Sequence, residues 1–362
     1  MSDNPLTHPV QGDRCLHPEE AQVLIDTGGH PITYGPFDSP EKKRRKVQVA
    51  KLLIKICDAC INVMGHHGNP WWYALGCSDT EMARLFLDHG ADANALFDTE
   101  DEGDCNPYHE PAKRPLIIAA NLLDYDTMKL LLEHGAYPGR NLTCPYSIGA
   151  LHMVLQSANS VQFLREETGK DVGRLMPSPT RPTIDYVRLL LAYNSSTTDR
   201  WRPIQSGEAD YDALRAAVEL SDVEVIKALL EHGADVNTVY GGGLTPLHEA
   251  GAYLKYRAPG DAAPPPDEDV RAKAVVNTLI DHGASVSART DAGETPLLLN
   301  VKQQPRAAVA VVKVLLDRGS DVNATDKAGF NALHYATESK YQKLVELLEK
   351  YVLDNTGRTK SP

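Results

Sequence analysis

The phrase Glu231-His232-Gly233-Ala234-Asp235-Val236-Asn237, followed closely by Thr245-Pro246-Leu247-His248-Glu249-Ala250, constrains the fold more than any other feature of the chain, because variants of both phrases recur along most of its length. The copy from Asp212 to Asn237 shows what each unit contains. Ala213 and Leu214 open a first helix, and Ala217 is the small residue where two helices must approach. Val225, Ile226, Leu229 and Leu230 recur at helical spacing and form the apolar stripe of a second helix. Gly233 stops that helix through a left-handed conformation that glycine adopts cheaply, and Asp235 and Asn237 lead into a projecting hairpin.

Two other copies keep this register, one from Asn69-Pro70-Trp71-Trp72-Tyr73-Ala74 to Asn94 and one from Arg114-Pro115-Leu116 to Ala136. A broken copy starts at Gly149-Ala150-Leu151-His152 and resumes at Tyr186, with Asn194 in the glycine's place; asparagine also tolerates the left-handed turn. Further copies start at Thr245 and resume at Val275–Gly283, run from Thr295 to Asn323, and run from Asn331 to near Leu348. The series resembles the ankyrin repeat, a unit of about 33 residues built as a turn plus two helices. The resemblance covers residues 66–350 and implies an all-α ankyrin-repeat solenoid, with helix–turn–helix pairs, projecting β-hairpin loops and about seven recognisable repeats. Each repeat buries its apolar face against its neighbours, so the product is a binding surface rather than a globule around a cavity.

The intervals between glycine caps exceed the family's period, which places insertions within 95–113, 156–182 and 253–272. Met176–Pro182 and the Pro-rich run 258–266 read as exposed loops, which a stack tolerates because closure entropy grows slowly with length. The first insertion lengthens a hairpin. Residues 1–65 read as degenerate repeats forming an N-terminal cap region, 66–353 as the array, and 354–362 as a polar C-terminal tail. In the last repeat Glu349 and Lys350 sit where a buried leucine and a spacer are expected, which leaves a polar outer face and suits a terminal cap.

The 362 residues contain no apolar run long enough to span a bilayer, and Met1-Ser2-Asp3-Asn4-Pro5 lacks the order of a signal peptide; a cytoplasmic protein, with the nucleus as a second location, is the expectation. Forty-nine acidic against 37 basic residues give −12, which argues against nucleic acid as a direct ligand and allows protein partners with basic surfaces. A monomer without membrane contact is expected.

Three constellations invite a chemical reading. Cys57-Asp58-Ala59-Cys60 with His66 and His67 has a metal-like spacing, but both cysteines fall on a predicted helix, where cysteine acts as a small apolar residue; no metal, cofactor or catalytic residue is assigned. The acidic run Asp98, Glu100, Asp101, Glu102 and Asp104 lacks the bidentate glutamate of a calcium loop and reads as a solvated hairpin tip able to meet a basic partner. Gly241-Gly242-Gly243 falls in a hairpin tip and not between strand and helix, so it is not a phosphate loop. Histidines also recur. In the resemblance, His152, His248 and His334 tie one repeat to the next, while His89, His134, His232 and His282 sit before the glycine cap, near the negative end of a helix.

Lys42-Lys43-Arg44-Arg45-Lys46 resembles a nuclear import signal; cations at a helix N-terminus oppose its dipole, which leaves the run free for a receptor. Tyr73, Ile118, Met153, Ala216, Glu249, Leu299 and Tyr335 share the first-helix position that faces the family's groove. Tyr73, Ile118, Met153, Glu249 and Tyr335, with the tip Asp98, Glu100, Asp101 and Glu102, are the candidate partner contacts, aromatics being good anchors. The leading expectation is a non-catalytic protein-binding scaffold or adaptor. The alternatives are a nuclear regulatory protein, such as a transcription co-regulator or ubiquitin-ligase substrate adaptor, and an enzyme or small-molecule binder with a site built from the inserted loops.

Overall fold

The computed structural model describes residues 75, 78–95, 114–139, 148–168, 181–200, 211–250, 268–303 and 309–358. It divides into two compact units, Met1–Pro138 with Val172–Arg181 and Gly139–Asp171 with Pro182–Pro362. The first unit holds α1 (Thr80–Asp88), α2 (Pro115–Asn121) and α3 (Tyr125–Glu133). The second holds α4 (Ala150–Thr168), α5 (Thr183–Ala192), α6 (Ala213–Leu220), α7 (Val223–Glu231), α8 (Pro246–Glu249), α9 (Glu268–Asp281), α10 (Pro296–Gln303), α11 (Val309–Asp317), α12 (Ala332–Glu338) and α13 (Gln342–Arg358). An isolated antiparallel bridge joins Thr325 and Asn331.

In the second unit the helices form two layers. The first helices α4, α6, α8, α10 and α12 touch one another in order, and the second helices α5, α7, α9, α11 and α13 do the same behind them. The apolar residues dictate this. Leu214 and Ala217 on α6 and Val225, Ile226 and Leu229 on α7 are buried, as are Leu279, Leu297, Leu315, Leu344 and Leu348 in the repeats that follow. Each buried leucine contributes about 1.5–3 kcal/mol through removal of apolar surface from water. Leu230, read from its spacing as part of the same stripe, is only half-buried.

Acidic N-caps start the helices. Asp79, Asp124 and Asp222 each accept a hydrogen bond from a main-chain N–H in the first turn of α1, α3 and α7, satisfying donors that the helix leaves open. The turn into each of these helices passes through a left-handed residue that is not glycine: Ser78 (φ 51°), Leu123 (φ 51°) and Ser221 (φ 53°), with Lys340 (φ 56°) before α13. The helix exits follow the sequence reading. Gly90, Gly135, Gly233, Gly283 and Gly319 have φ between 83° and 92°, and Asn194 takes the same region at 58°.

Three boundaries differ from expectation. The insertion read as a loop within 156–182 begins as helix, because α4 runs unbroken from Ala150 to Thr168. Val154, Leu155, Ala158 and Val161 keep an apolar side at helical spacing, so the chain continues to bury surface past the point where a standard first helix ends. The insertion at 253–272 likewise ends as helix, since α9 starts at Glu268 and buries Ala272. Helix α13 continues to Arg358, beyond the boundary drawn at 353. Its exposed Glu349 and Lys350 place charge on the outer side of the last repeat, as a cap requires. The N-terminal cap region 1–65, the cysteine pair Cys57 and Cys60, the hairpin insertion 96–113 and the Pro-rich run 258–266 lie outside the described residues.

Candidate binding surface

The hairpins and first helices are locked to one another by side chains that the repeat phrases supply. Asn94 donates from Nδ2 to the Gly135 carbonyl (3.0 Å) and accepts the Tyr137 N–H at Oδ1 (2.7 Å). Asn237 does the same with the Gly283 carbonyl (3.0 Å) and the Ser285 N–H (2.9 Å). Sequence reasoning saw in Asn237 only a turn former; the signal available was the recurrence of Asp-x-Asn just beyond Gly90, Gly233 and Gly319.

His248 carries out the tying role expected of it. Its Nδ1 faces the Thr245 N–H (3.2 Å) and hydroxyl (2.8 Å), while Nε2 lies 3.1 Å from the Glu294 carbonyl in the next repeat. An N–H can only donate and a carbonyl can only accept, so Nδ1 is the acceptor and Nε2 carries the proton. Burial pushes the imidazole below its ordinary pKa, consistent with a neutral ring. His89, His134, His232 and His282 each place Nδ1 at 2.7–2.9 Å from the carbonyl four residues earlier, closing the helix end. His334 departs from expectation. It is exposed and stacks on Phe330, with ring centroids 4.1 Å apart.

Along the first helices of the second unit, charges are paired and framed by aromatic rings. Arg215 on α6 reaches Glu249 on α8 at 2.9 Å, and the two residues are 8% and 5% exposed. The Arg215 guanidinium lies over the rings of Tyr211 (4.4 Å) and Tyr240 (5.2 Å). The Tyr240 hydroxyl donates to Asp212 (2.8 Å), which also caps α6 by accepting the Arg215 N–H (2.8 Å). Desolvation raises the Asp212 pKa above the usual carboxylate value despite these hydrogen bonds.

A second cluster follows at the C-terminal end of the same layer. Lys302 on α10 pairs with Glu294 at 2.5 Å and sits 5.2 Å over the Tyr335 ring. The Tyr335 hydroxyl donates to Asp326 (2.5 Å), whose other oxygen accepts the N–H groups of Ala328 (2.9 Å) and Phe330 (3.0 Å). The hydrogen bond to Glu294 raises the Lys302 pKa, and the Tyr335 hydrogen bond holds Asp326 below its ordinary value. Phe330 is 41% exposed and the Lys302 side chain 42% exposed, so this cluster faces solvent with its rings and ammonium already positioned.

The candidate contacts fare unequally. Tyr335 is half-exposed, and its orientation is fixed by Asp326. Ile118 and Met153 are half-buried, each on the first helix of its own repeat. Ala216 and Leu299 are buried. Glu249 is buried and held by Arg215, so its carboxylate serves the fold and is not offered to a partner. Tyr73, the acidic tip Asp98, Glu100, Asp101 and Glu102, and the basic run Lys42, Lys43, Arg44, Arg45 and Lys46 lie outside the described residues. Phe330 and His334, which sequence reasoning did not select as contacts, are brought beside Tyr335.

Paired helices in two layers, glycine-capped turns and hairpins stapled by asparagine define a helical repeat protein. Comparison with family models agrees: residues 270–357 match a model described as ankyrin repeats in three copies, and residues 214–253 match one described as ankyrin repeats in many copies. The chain thus carries ankyrin repeats over these spans. Outside them, the left-handed glycines Gly90 and Gly135 and the Asn94 staple repeat the same local geometry. Ankyrin repeats are, in general, protein-interaction modules and typically non-catalytic. Among the described residues no helix is long and apolar enough to cross a membrane.

Proposed function

We propose that the chain is a non-catalytic scaffold or adaptor, and that the first-helix face of its second unit docks a protein partner around Tyr335, Phe330 and His334. The observation that carries this reading is the solvent-facing aromatic cluster held in place by Asp326 and Lys302. Rings immobilised before binding lose little conformational freedom on contact, and exposed aromatics supply a large share of interface energy. The Lys302–Glu294 charges beside Tyr335 are already paired within the fold, so a partner meets a preformed surface. Affinity purification with the tagged full chain tests the reading. Proteins retained by the wild type and lost with Phe330→Ala support it; an identical retained set for both contradicts it.

A nuclear regulatory role is a second reading, carried by the Lys42–Lys46 cation run alone. Nuclear accumulation of a tagged chain that disappears when these residues become alanine supports it, and unchanged distribution contradicts it.

A further inference from the structure

Two successive hairpins of the second unit each seat the next through main-chain contacts. The Gly242 carbonyl accepts the Asp291 N–H (2.8 Å), and the Ala292 carbonyl accepts the Lys327 N–H (3.0 Å). Asn237 grips the Gly283 carbonyl and the Ser285 N–H. Gly243 and Gly293 lie so close to the following hairpin that a Cβ would stand 2.8 Å from the Asp291 nitrogen and 3.0 Å from the Lys327 nitrogen. Bare glycine is what allows the backbones to meet.

The last hairpin carries the same equipment. Asn323 matches Asn237, Ala328 matches Gly242 and Ala292, and Gly329 matches Gly243 and Gly293. Here α13 continues as helix to Arg358, where earlier second helices turn into another hairpin. Among the described residues, the Asn323 carboxamide and the Ala328 carbonyl receive no hydrogen-bond partner. A Cβ on Gly329 would meet nothing within 4 Å, although its φ is 86°, and Phe330 beside it is exposed.

We propose that this edge, Asn323 with Ala328–Phe330, docks a turn of polypeptide from a partner protein, seated as the next rung of the hairpin ladder. The ladder specifies the occupant. It must offer a carbonyl to Nδ2 of Asn323, an N–H two residues on to Oδ1, and a later N–H to the Ala328 carbonyl, as Gly283, Ser285 and Asp291 do inside the chain. The outer side of α13 carries exposed Glu346, Glu349 and Lys350, so the occupant pairs with the hairpin layer and brings no helix layer with it. This edge borders the aromatic face proposed above and shares Phe330 with it, but its bonding groups, the Asn323 carboxamide and the Ala328 carbonyl, are not part of that face, so it stands whether or not that face binds.

The probe is a backbone-cyclised peptide with the sequence of residues 281–295, used after its own nuclear Overhauser effects have shown the turn formed. Titrated into isotope-labelled full-length chain, it is expected to produce saturable amide shifts confined to residues 323–330. Asn323→Ala should weaken binding about tenfold by removing two hydrogen bonds. Gly329→Asn, which tolerates the positive φ and fills the seat with a Cβ, should abolish it. Unshifted amides elsewhere confirm that both variants are folded. No saturable shift with the wild type, or equal binding by Gly329→Asn, overturns the proposal.

Discussion

His248 Nε2 lies 3.1 Å from the main-chain carbonyl of Glu294, one repeat further on, and the same ring accepts the N–H of Thr245. The ring can hold both bonds only when neutral. Burial keeps its folded pKa below the ordinary imidazole value of 6.5. The unfolded chain therefore takes up the proton first as pH falls. Stability from His248 is fully present above about 6.5 and is lost as pH drops through that value toward the folded pKa. Urea unfolding followed between neutral and mildly acidic pH should show this loss, and His248→Gln should flatten it while lowering stability at neutral pH. A wild-type slope retained in His248→Gln would assign the effect to another group.

Asp212 works with the opposite sign. Desolvation raises its folded pKa above the ordinary carboxylate value of 3.8, so the folded chain binds this proton more tightly than the unfolded chain. Its contribution to stability grows as pH falls through the raised value and levels off below 3.8. Asp212→Asn keeps an acceptor for the Arg215 N–H and for the Tyr240 hydroxyl but removes the buried charge. It should be more stable than the wild type at neutral pH, with the gap closing on acidification. A gap independent of pH between neutrality and 4 would contradict the sign.

Two glycines with similar backbone angles should respond differently to the same substitution. Gly233 (φ 88°) has open space around a prospective Cβ, whereas Gly243 (φ 75°) would place one 2.8 Å from the Asp291 nitrogen. Gly233→Ala carries the left-handed penalty alone, about 1–2 kcal/mol. Gly243→Ala adds an overpacking term of about 1–3 kcal/mol, because the obstacle is backbone. Thermal melts should therefore rank Gly243→Ala clearly below Gly233→Ala. Equal melting temperatures would mean that the two hairpins do not stack as described.

The repeat boundaries, the glycine caps and the bonding of His248 were legible because each depends on a short phrase that recurs. Depth was not. Nothing in Thr245–Ala250 shows that Glu249 is buried against Arg215, since the partner arginine belongs to the previous repeat. Leu230 shares the spacing of Leu229 but sits at the rim of its stripe. The long interval marks 156–182 as an insertion without showing that its first part is helix, although Ala158 and Val161 continue the apolar side of α4. The aromatic cluster joins residues from three phrases, Lys302, Phe330 and Tyr335, and only the last held a position marked in advance.

The Arg215–Glu249 pair should behave as a buried ion pair. Arg215→Met leaves a desolvated carboxylate and should cost about 3–5 kcal/mol, while the double change Arg215→Met with Glu249→Leu should come close to the wild type. Chemical denaturation of the two single variants and the double one closes the cycle. Raised salt should alter the wild-type value little, because the pair is shielded from solvent. Additive losses in the double variant would show that the two side chains act independently.

The most direct test of protein docking on the first-helix face is a kinetic binding measurement with a purified partner recovered by the full chain, comparing Tyr335→Ala with Lys313→Ala. Lys313 lies on the second helix α11 and is exposed, paired only with Asp317 on its own helix. Surface plasmon resonance should show much faster dissociation for Tyr335→Ala, with little dependence on salt, and wild-type kinetics for Lys313→Ala. Wild-type kinetics for Tyr335→Ala together with impaired binding by Lys313→Ala would place the partner on the opposite layer and contradict docking at the aromatic face.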